Sequence, residues 1–323
     1  MNSQHTTHIV LSDEVAAAAA NQEAIVALES TIITHGMPAP DNVETARRVE
    51  AAVRANGATP ATIAVVDGVA RIGLTDEELD RLGQPGPELV KIGNQNLAAS
   101  LYLGQTGGTT VAVTMKLAAL AGIKIFATGG IGGVHRGAQN SFDISGDLEE
   151  LARTPVAVVS AGFKSILDIA KTTEYLETLG VPIVGYQTAT LPSFYSIDSP
   201  HGVNLQLDSP KAVGGYLHTH WSLDPARGAV IANPIPQHAA IPTDRIEAAI
   251  AQACVHADAE GISGKELTPF LLQWLVDATD GESLEANKEL VVNNAKVAAL
   301  IAQHLTSPWE SQNKRGGANN PHA

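Results

Sequence analysis

Short apolar runs, each followed by a turn and then by a helical pattern, recur along the chain. The runs are rich in Val, Ile and Ala and are followed by Gly, Ser or Thr, which is typical of strand–turn–helix units. Repetition of such units predicts an α/β fold. The predicted strands cover residues 25–28, 62–66, 111–114, 123–128, 156–160, 183–186 and 229–233, and the predicted helices cover residues 41–56, 75–82, 115–121, 164–179, 246–260, 268–279 and 283–304.

The chain shows neither an internal repeat nor a low-complexity linker in its interior. Its 323 residues remain within the range of one large α/β domain, so we expect a single catalytic domain over residues 8–305. Residues 306–323 are rich in Asn, Gly, Pro and charge, and this composition predicts a disordered tail.

Composition limits the classes of molecule that we expect the protein to bind. The net charge of −14 would repel the phosphate backbone of a nucleic acid, so a nucleic-acid partner is not expected. A single phosphate on a small molecule can still be held locally by backbone N–H groups and one lysine. The lone cysteine, Cys254, excludes a disulfide within the chain, and the first eleven residues lack the pattern of a signal peptide. We therefore expect a cytoplasmic protein without a membrane segment.

Polar side chains and glycines follow three of the predicted strands. Glu29 comes directly after the first strand, the glycine-rich segment 129–137 follows the fourth, and Lys164 lies shortly after the fifth. Because ligands of open α/β sheets bind beyond the carboxyl ends of the strands, these residues are the first candidates for a site.

Lys164 is the sharpest candidate among them. A lysine in the first turn of the predicted helix 164–179 would face the positive end of the helix dipole, which disfavours its ammonium form. A neutral amine can attack a sugar carbon and form an imine. The alternative is an ordinary surface lysine at the start of a helix.

For three carboxylates, as for Lys164, the sequence allows either a functional or a structural role. Glu29 ends an apolar strand, so it is either paired in the core or serves as an acid or base. Asp143 and Asp147 are four residues apart and could share a divalent cation through their oxygens. Alternatively, Ser145 or Asp147 caps a helix that begins near Leu148.

The glycine-rich segment 129–137 predicts either an anion-binding loop or merely a tight turn. It does not match G-x-G-x-x-G, because His135 stands in place of the third glycine. Among the histidines, His135 is nevertheless the strongest functional candidate, because it lies inside this loop. The chain contains no P-loop, no G-x-S-x-G turn and no H-E-x-x-H helix, which speaks against a kinase of the P-loop type.

Several longer motifs, in a fixed order, resemble the pseudouridine-5′-phosphate glycosidase family, which is related to indigoidine synthase A. The resemblance covers roughly residues 20–305 and implies an α/β/α fold of three layers around a central mixed sheet. The motifs are VALESTIITHGMP at 26–38, PATIA at 60–64, FATGGIGGVHRG at 126–137, FDIS at 142–145, AGFKSILD at 161–168 and ANPIP at 232–236.

The resemblance also implies a set of site residues. It makes Glu29 the proton donor, Lys164 the covalent nucleophile and Asp143 the ligand of one divalent metal ion, typically Mn²⁺. Substrate contacts are implied for Lys91, Val111, Ser145, Gly146, Asp147 and Asn287, to which His135 is added from the glycine loop. Members of the family assemble as homotrimers, so a homotrimer is expected here.

The expected reaction is the reversible cleavage of the carbon–carbon glycosidic bond of pseudouridine 5′-phosphate to uracil and ribose 5-phosphate by a lyase that forms a lysine imine. Three alternatives stay open on the residues alone. They are a related C-glycosidase that acts on another phosphosugar conjugate, a phosphosugar or nucleoside kinase, and a non-catalytic binding protein. The loop near residues 192–195 is one of those that could set the preference for the base.

Overall fold

A computed structural model describes residues 8–84, 86, 88–197, 199–262 and 267–305 of the protein. The predicted tail, residues 306–323, lies outside the described residues. The strands are β1 (Ile9–Leu11), β2 (Ile25–Leu28), β3 (Thr59–Val66), β4 (Val69–Ile72), β5 (Leu89–Ile92), β6 (Thr106–Thr109), β7 (Ile125–Ala127), β8 (Ala157–Ser160), β9 (Ile183–Tyr186), β10 (Leu205–Leu207) and β11 (Ala229–Ala232).

Helices alternate with these strands along most of the chain. A π-helical turn, Ile32–Gly36, follows β2, and a short 3₁₀ turn, Gln237–Ala239, follows β11. The α-helices are α1 (Asp13–Ala20), α2 (Asp41–Ala55), α3 (Asp76–Gly83), α4 (Leu97–Tyr102), α5 (Val111–Leu120), α6 (Ala138–Ser141), α7 (Gly146–Leu151), α8 (Ile169–Leu179), α9 (Pro210–Leu223), α10 (Thr243–Glu260), α11 (Leu267–Ala278) and α12 (Glu282–Ala302).

The described strands form one large mixed sheet. Its parallel part runs in the order β3-β2-β7-β8-β11-β9-β10. The second half of β3 pairs antiparallel with both β4 and β6, and these strands carry β1 and β5 as parallel neighbours. The predicted α/β class with a mixed sheet is confirmed.

The parallel strands are the ones that the sequence pattern predicts best. Every residue of β8, β9 and β11 is buried, as expected for parallel strands covered on both faces. Burying one Val or Ile side chain contributes about 1.5–3 kcal/mol, so the continuous apolar runs hold the centre of the sheet together.

The predicted strand at 111–114 is wrong. Val111 is the first residue of α5, and the strand at this place, β6, precedes it. The β-branched residues of the segment resemble a strand in sequence, but they form the first turn of a helix in which residues 111–115, 117 and 118 are buried. The glycines of β6 are required by space, since a Cβ on Gly107 would lie 1.9 Å from the carbonyl oxygen of Val90.

The predicted start of the helix 164–179 is also wrong. α8 begins at Ile169, where Asp168 caps it by accepting a hydrogen bond of 3.0 Å from the backbone N–H of Lys171. The preceding residues, 161–168, which we call the Lys164 loop, are hydrogen-bonded to the glycine loop instead. The N–H of Lys164 donates to the carbonyl of Ile131 (3.1 Å), and the N–H of Asp168 donates to that of Val134 (2.9 Å).

The last helix, α12, packs against β2, β7, β8, α2 and α9. Its buried Asn294 donates through Nδ2 to the carbonyl of Thr128 (2.8 Å) and accepts from Asn233 (2.9 Å). These bonds tie the helix to the ends of β7 and β11. Among the described residues, none of the helices is both long and apolar enough to span a membrane.

Candidate active site

A cavity of about 510 Å³ opens beyond the carboxyl ends of β2, β7 and β8. Its size falls in the range of small-molecule sites. All of the site residues predicted from the sequence line this one cavity, although they come from distant parts of the chain. They are Glu29, Lys91, Val111, His135, Asp143, Ser145, Gly146, Asp147, Lys164 and Asn287.

Glu29 is the first residue after β2 and lies half-buried in the cavity wall. The hydroxyl of Thr128 donates a short hydrogen bond to its carboxyl group. Burial raises the pKa of Glu29, while the charge of Lys164 and the bond from Thr128 act in the opposite direction. The net direction is upward, so the site favours a carboxyl that keeps its proton to higher pH than a free glutamate.

Lys164 reaches the same cavity from the Lys164 loop, residues 161–168. Its predicted place in the first turn of a helix is wrong, because α8 begins five residues later. The amine instead shares the cavity with charged groups, and its charge influences Glu29, Lys91 and His135. Gly130 of the glycine loop packs beside it, since a Cβ there would lie in ordinary contact, 3.4 Å, with Cγ of Lys164.

Lys91 is carried by β5 at the edge of the sheet. Burial lowers the pKa of Lys91, and the like charge of Lys164 lowers it further, while Asp147 and Glu29 raise it. Two lysines therefore face one cavity, and an anionic ligand between them would relieve their mutual repulsion.

Asp147 joins two walls of the cavity. One carboxylate oxygen accepts the N–H of Ala112 and the other accepts the N–H of Gly132, both at 2.9 Å. The hydroxyl of Ser145 accepts the N–H of Asp147 (3.2 Å) and so caps α7, which is the capping alternative considered for this segment. Gly132 must lack a side chain here, because a Cβ would lie 2.3 Å from Oγ of Ser145.

His135 and Asp143 lie together at another part of the wall. Nδ1 of His135 is 4.0 Å from Oδ2 of Asp143. Burial lowers the pKa of His135, Asp143 raises it, and Lys164 and Lys91 lower it. Among the described residues, no three His, Cys, Asp or Glu side chains converge into a metal cage. The half-exposed carboxylate of Asp143 fits a cation such as Mn²⁺ or Mg²⁺ that takes one protein oxygen and otherwise keeps water.

Asn287 enters the cavity from α12 and is buried. Its Oδ1 has no hydrogen-bond partner among the described residues. Leaving a buried acceptor unpaired costs about 1–3 kcal/mol, so this atom indicates a partner that arrives with a ligand.

Other lining residues were not among the predicted site residues. Thr31 and His35 lie within the motif at 26–38, and Phe194 lies in the loop suspected of setting base preference. No sequence pattern indicated a functional role for Asn94, which lies in the turn after β5. Phe194 has a left-handed backbone (φ 57°) and packs so closely that a Cβ on Gly130 would lie 2.5 Å from its ring.

Fold and site together define the class of protein: an α/β protein with a candidate ligand site at its parallel strand ends, lined by a lysine, a half-buried carboxyl group and a glycine-rich loop. Residues 14–304 match the family described as indigoidine synthase A like protein. Two proteins that are named pseudouridine-5′-phosphate glycosidase are similar over nearly their full length. The one from Hahella chejuensis is 54% identical over 91% of this chain and 97% of its own, and the one from Escherichia coli is 52% identical over 91% and 94%.

Two solved structures share the fold with a TM-score of 0.85 each. A prealnumycin C-glycosynthase in complex with ribulose 5-phosphate is 38% identical over 92% of this chain and 97% of that one. An indigoidine synthase A-like protein from Thermotoga maritima is 32% identical over 95% of this chain and 100% of that one. The chain belongs to the indigoidine synthase A like family and, within it, to the pseudouridine-5′-phosphate glycosidase family.

Proposed function

We propose that this protein is a lyase that reversibly cleaves pseudouridine 5′-phosphate to uracil and ribose 5-phosphate. The observation that carries the proposal is the presence of Lys164 and Glu29 in one cavity, an amine beside a carboxyl group that favours its protonated form. The names of the relatives from Hahella chejuensis and Escherichia coli support the same substrate.

The bond to be broken explains why both groups are needed. A base attached through carbon is a poor leaving group until its C5 gains a proton, and the sugar C1′ must receive electrons as that bond breaks. In the proposed reaction the C1′–O4′ bond of the ribose ring breaks and O4′ takes up a proton, while the amine of Lys164 bonds to C1′ and gives up a proton. Glu29 then protonates C5 of uracil, the C1′–C5 bond breaks, and the remaining lysine imine is hydrolysed by water to ribose 5-phosphate.

The cationic side of the cavity is the proposed phosphate site. Lys91 lies there with Val111, the first residue of α5, and the first N–H groups of a helix have no partners within it. We assign further substrate contacts to His135, Ser145 and Gly146, which line the same cavity.

Two other residues complete the proposed substrate site. The unpartnered Oδ1 of Asn287 offers an acceptor to an N–H or O–H group of the substrate. Asp147 raises the pKa of Glu29 through its charge and so favours the acid form that the reaction needs. Its place in the cavity wall also gives it a substrate contact.

Asp143 is the proposed protein ligand of one divalent ion, with Mn²⁺ as the expected metal. When bound, such an ion supplies positive charge and ordered water next to the substrate. The neighbouring His135 holds its ring near the Asp143 carboxylate and thereby orients that side chain.

Trapping the imine tests the proposal directly. Borohydride added with ribose 5-phosphate should attach the sugar to Lys164, which mass spectrometry of the digested protein detects. The Lys164→Met variant should form no adduct and should lose uracil release by a factor on the order of 10³ or more, because the nucleophile is gone.

The exposed Lys211 on α9 offers a matched control. Lys211→Met should trap and turn over like the unchanged protein. An active enzyme that yields no adduct, or a Lys164→Met variant that releases uracil at full speed, would rule out the imine.

A second candidate follows from the solved relative that binds ribulose 5-phosphate. In that case the protein acts on a different phosphosugar conjugate with a carbon-linked aglycone. Comparison of kcat/KM for pseudouridine 5′-phosphate with that for other C-linked phosphosugars distinguishes the two, and a preference for another aglycone would favour the second.

A further inference from the structure

A buried carboxylate lies behind the wall of the cavity that carries Lys91. Glu150, on α7, is only 1% exposed. Its Oε2 accepts hydrogen bonds from Asn94 (2.8 Å) and from the guanidinium of Arg153 (3.0 Å), and the hydroxyl of Thr154 donates to Oε1. A buried carboxyl group needs hydrogen-bond donors around it, and here Asn94, Arg153 and Thr154 supply them.

Asn94 links this carboxylate to the cavity, which it lines. Both ends of its side-chain amide are engaged. Nδ2 donates to Glu150, and Oδ1 accepts from Nζ of Lys116 at 2.8 Å. Since Nζ of Lys116 is also 3.6 Å from Oε2 of Glu150, the three side chains form a closed triangle, which we call the Asn94 clamp.

The clamp joins three separate elements. Asn94 lies in the turn after β5, two residues beyond the end of the strand, while Lys116 is on α5 and Glu150 is on α7. α5 and α7 are already joined through Asp147, which accepts the N–H of Ala112. The clamp adds the turn after β5 to this pair.

The position of Lys91 depends on that turn, because the strand that carries Lys91 has only one neighbour in the described part of the sheet. Among the described strands, β5 pairs with β6 alone, so it forms the edge of the sheet. The turn is internally fixed by Asn96, which donates to the carbonyl of Lys91 (3.2 Å) and accepts the N–H of Gly93 (2.8 Å). Asn94 is the residue of this turn that reaches across to α5 and α7.

We propose that Asn94, Lys116 and Glu150 are positioning residues that hold Lys91 at a fixed place relative to the first turn of α5. The clamp thereby sets the affinity of the site for the phosphate group, an inference that rests on the proposed function. Lys116 and Glu150 are not among the residues that line the cavity, so they act through Asn94 and the turn, not by touching the ligand.

The test measures binding separately from turnover. In the Lys116→Met variant we expect the Kd of ribose 5-phosphate and of inorganic phosphate, measured by calorimetry, to rise about tenfold or more, as for other outer partners of site residues. We expect kcat at saturating pseudouridine 5′-phosphate to stay within about threefold, because Lys164 and Glu29 are undisturbed. Lys116→Arg, which restores a cationic donor, should recover most of the affinity.

Arg153→Ala provides the matched control. It removes another donor from Glu150 but none from Asn94, and the guanidinium is largely exposed. Its phosphate affinity should match that of the unchanged protein. Glu150→Gln serves as the second variant should Lys116→Met fail to fold.

The results distinguish a failure of the clamp proposal from a failure of the proposed function. Unchanged Kd values in folded Lys116→Met and Glu150→Gln, or an equal loss in Arg153→Ala, would overturn the clamp while the activity stands. An unchanged protein that binds neither ribose 5-phosphate nor pseudouridine 5′-phosphate would instead overturn the proposed function.

Discussion

At the scale of single residues, Glu29 lies in an environment that is unfavourable for an ionised glutamate. Burial disfavours its charged form more than Lys164, Lys91 and the Thr128 hydroxyl favour it, and its pKa is raised above the ordinary value of 4.5. Glu29 thus keeps its proton to higher pH than a free glutamate does, as its proposed role as proton donor requires. The folded protein bears a free-energy cost whenever that proton is lost.

This cost predicts a stabilising substitution. Between pH 4.5 and the raised pKa of Glu29, the folded state binds more protons than the unfolded state, so stability falls as pH rises. Glu29→Gln removes the titration and keeps an acceptor for Thr128. Its melting temperature should therefore exceed that of the unchanged protein by more at pH 8 than at pH 5, while uracil release falls by about 10²–10⁴-fold.

The exposed Glu44 on α2 supplies a control for this pH effect. Glu44→Gln should show no growing advantage as pH rises. A melting temperature of Glu29→Gln that drops below that of the unchanged protein at high pH would mean that Glu29 is stabilised as an anion.

At the scale of elements, close approach of backbones decides where the Lys91 strand lies. β6 separates β5 from β3, and its two glycines leave no room for side chains. A Cβ on Gly107 would lie 1.9 Å from the carbonyl oxygen of Val90, and one on Gly108 would lie 2.4 Å from the Thr34 hydroxyl. β5, with Lys91, can therefore move only if β6 moves.

Gly107→Ala should displace β5 and lower the free energy of unfolding by about 1–3 kcal/mol, the usual cost of overpacking. Urea unfolding measures this, and ribose 5-phosphate affinity should fall with it because Lys91 moves. Gly202→Ala is the matched control, since its Cβ would meet no atom closer than 3.9 Å. Equal stability of the two variants would contradict the required close packing of β6.

The same elements show how far sequence reasoning reaches. Strands β2, β8, β9 and β11 were predictable because they are continuous apolar runs followed by turn residues. β1 and β10, at the sheet edges, have three residues each, none of them fully buried, so they lack the continuous buried apolar run that marks the central strands. Only the first four residues of α5, 111–114, were predicted as a strand, because a run of Val, Ala and Thr is equally typical of a buried strand and of a buried helix. The rest of α5 was predicted as a helix.

The candidate site was predictable to a different degree. The rule that ligands lie beyond strand ends placed Glu29, the glycine loop and Lys164 together without any knowledge of a family. Lys91, Val111 and Asn287 came from the resemblance alone, since no local pattern distinguishes them. His35 lies within the motif at 26–38 but was given no role, and Asn94 was not among the predicted site residues, because their places in the cavity depend on contacts across the fold.

At the scale of the whole molecule, several large apolar side chains remain exposed on the single chain. Tyr102 is 87% exposed and Leu103 is 64% exposed at the end of α4, and Phe142, next to Asp143, is 84% exposed. Phe142 is also held in a left-handed conformation (φ 55°), which is unfavourable for a bulky residue. Such residues favour an assembly that covers them.

We propose the homotrimer expected from the family. Light scattering coupled to size exclusion should give a mass about three times the 33.6 kDa of the chain. Phe142→Ser should weaken the assembly if that side chain is covered, whereas Leu223→Ser, at an 82% exposed position on α9, serves as a comparison. A monomer at micromolar concentration would contradict the trimer.

The packing of α12 bears on how the protein is made. This helix is the last of the described elements, yet it covers β2, β7 and β8 and delivers Asn287 to the site. A ribosome that adds 5–20 residues per second needs on the order of 10–60 s to reach it. Until α12 has been made, the strands that it covers lack this helix, so a chaperone that shields apolar surface on nascent chains would act at this stage. The complete site can form only after α12 has been synthesised.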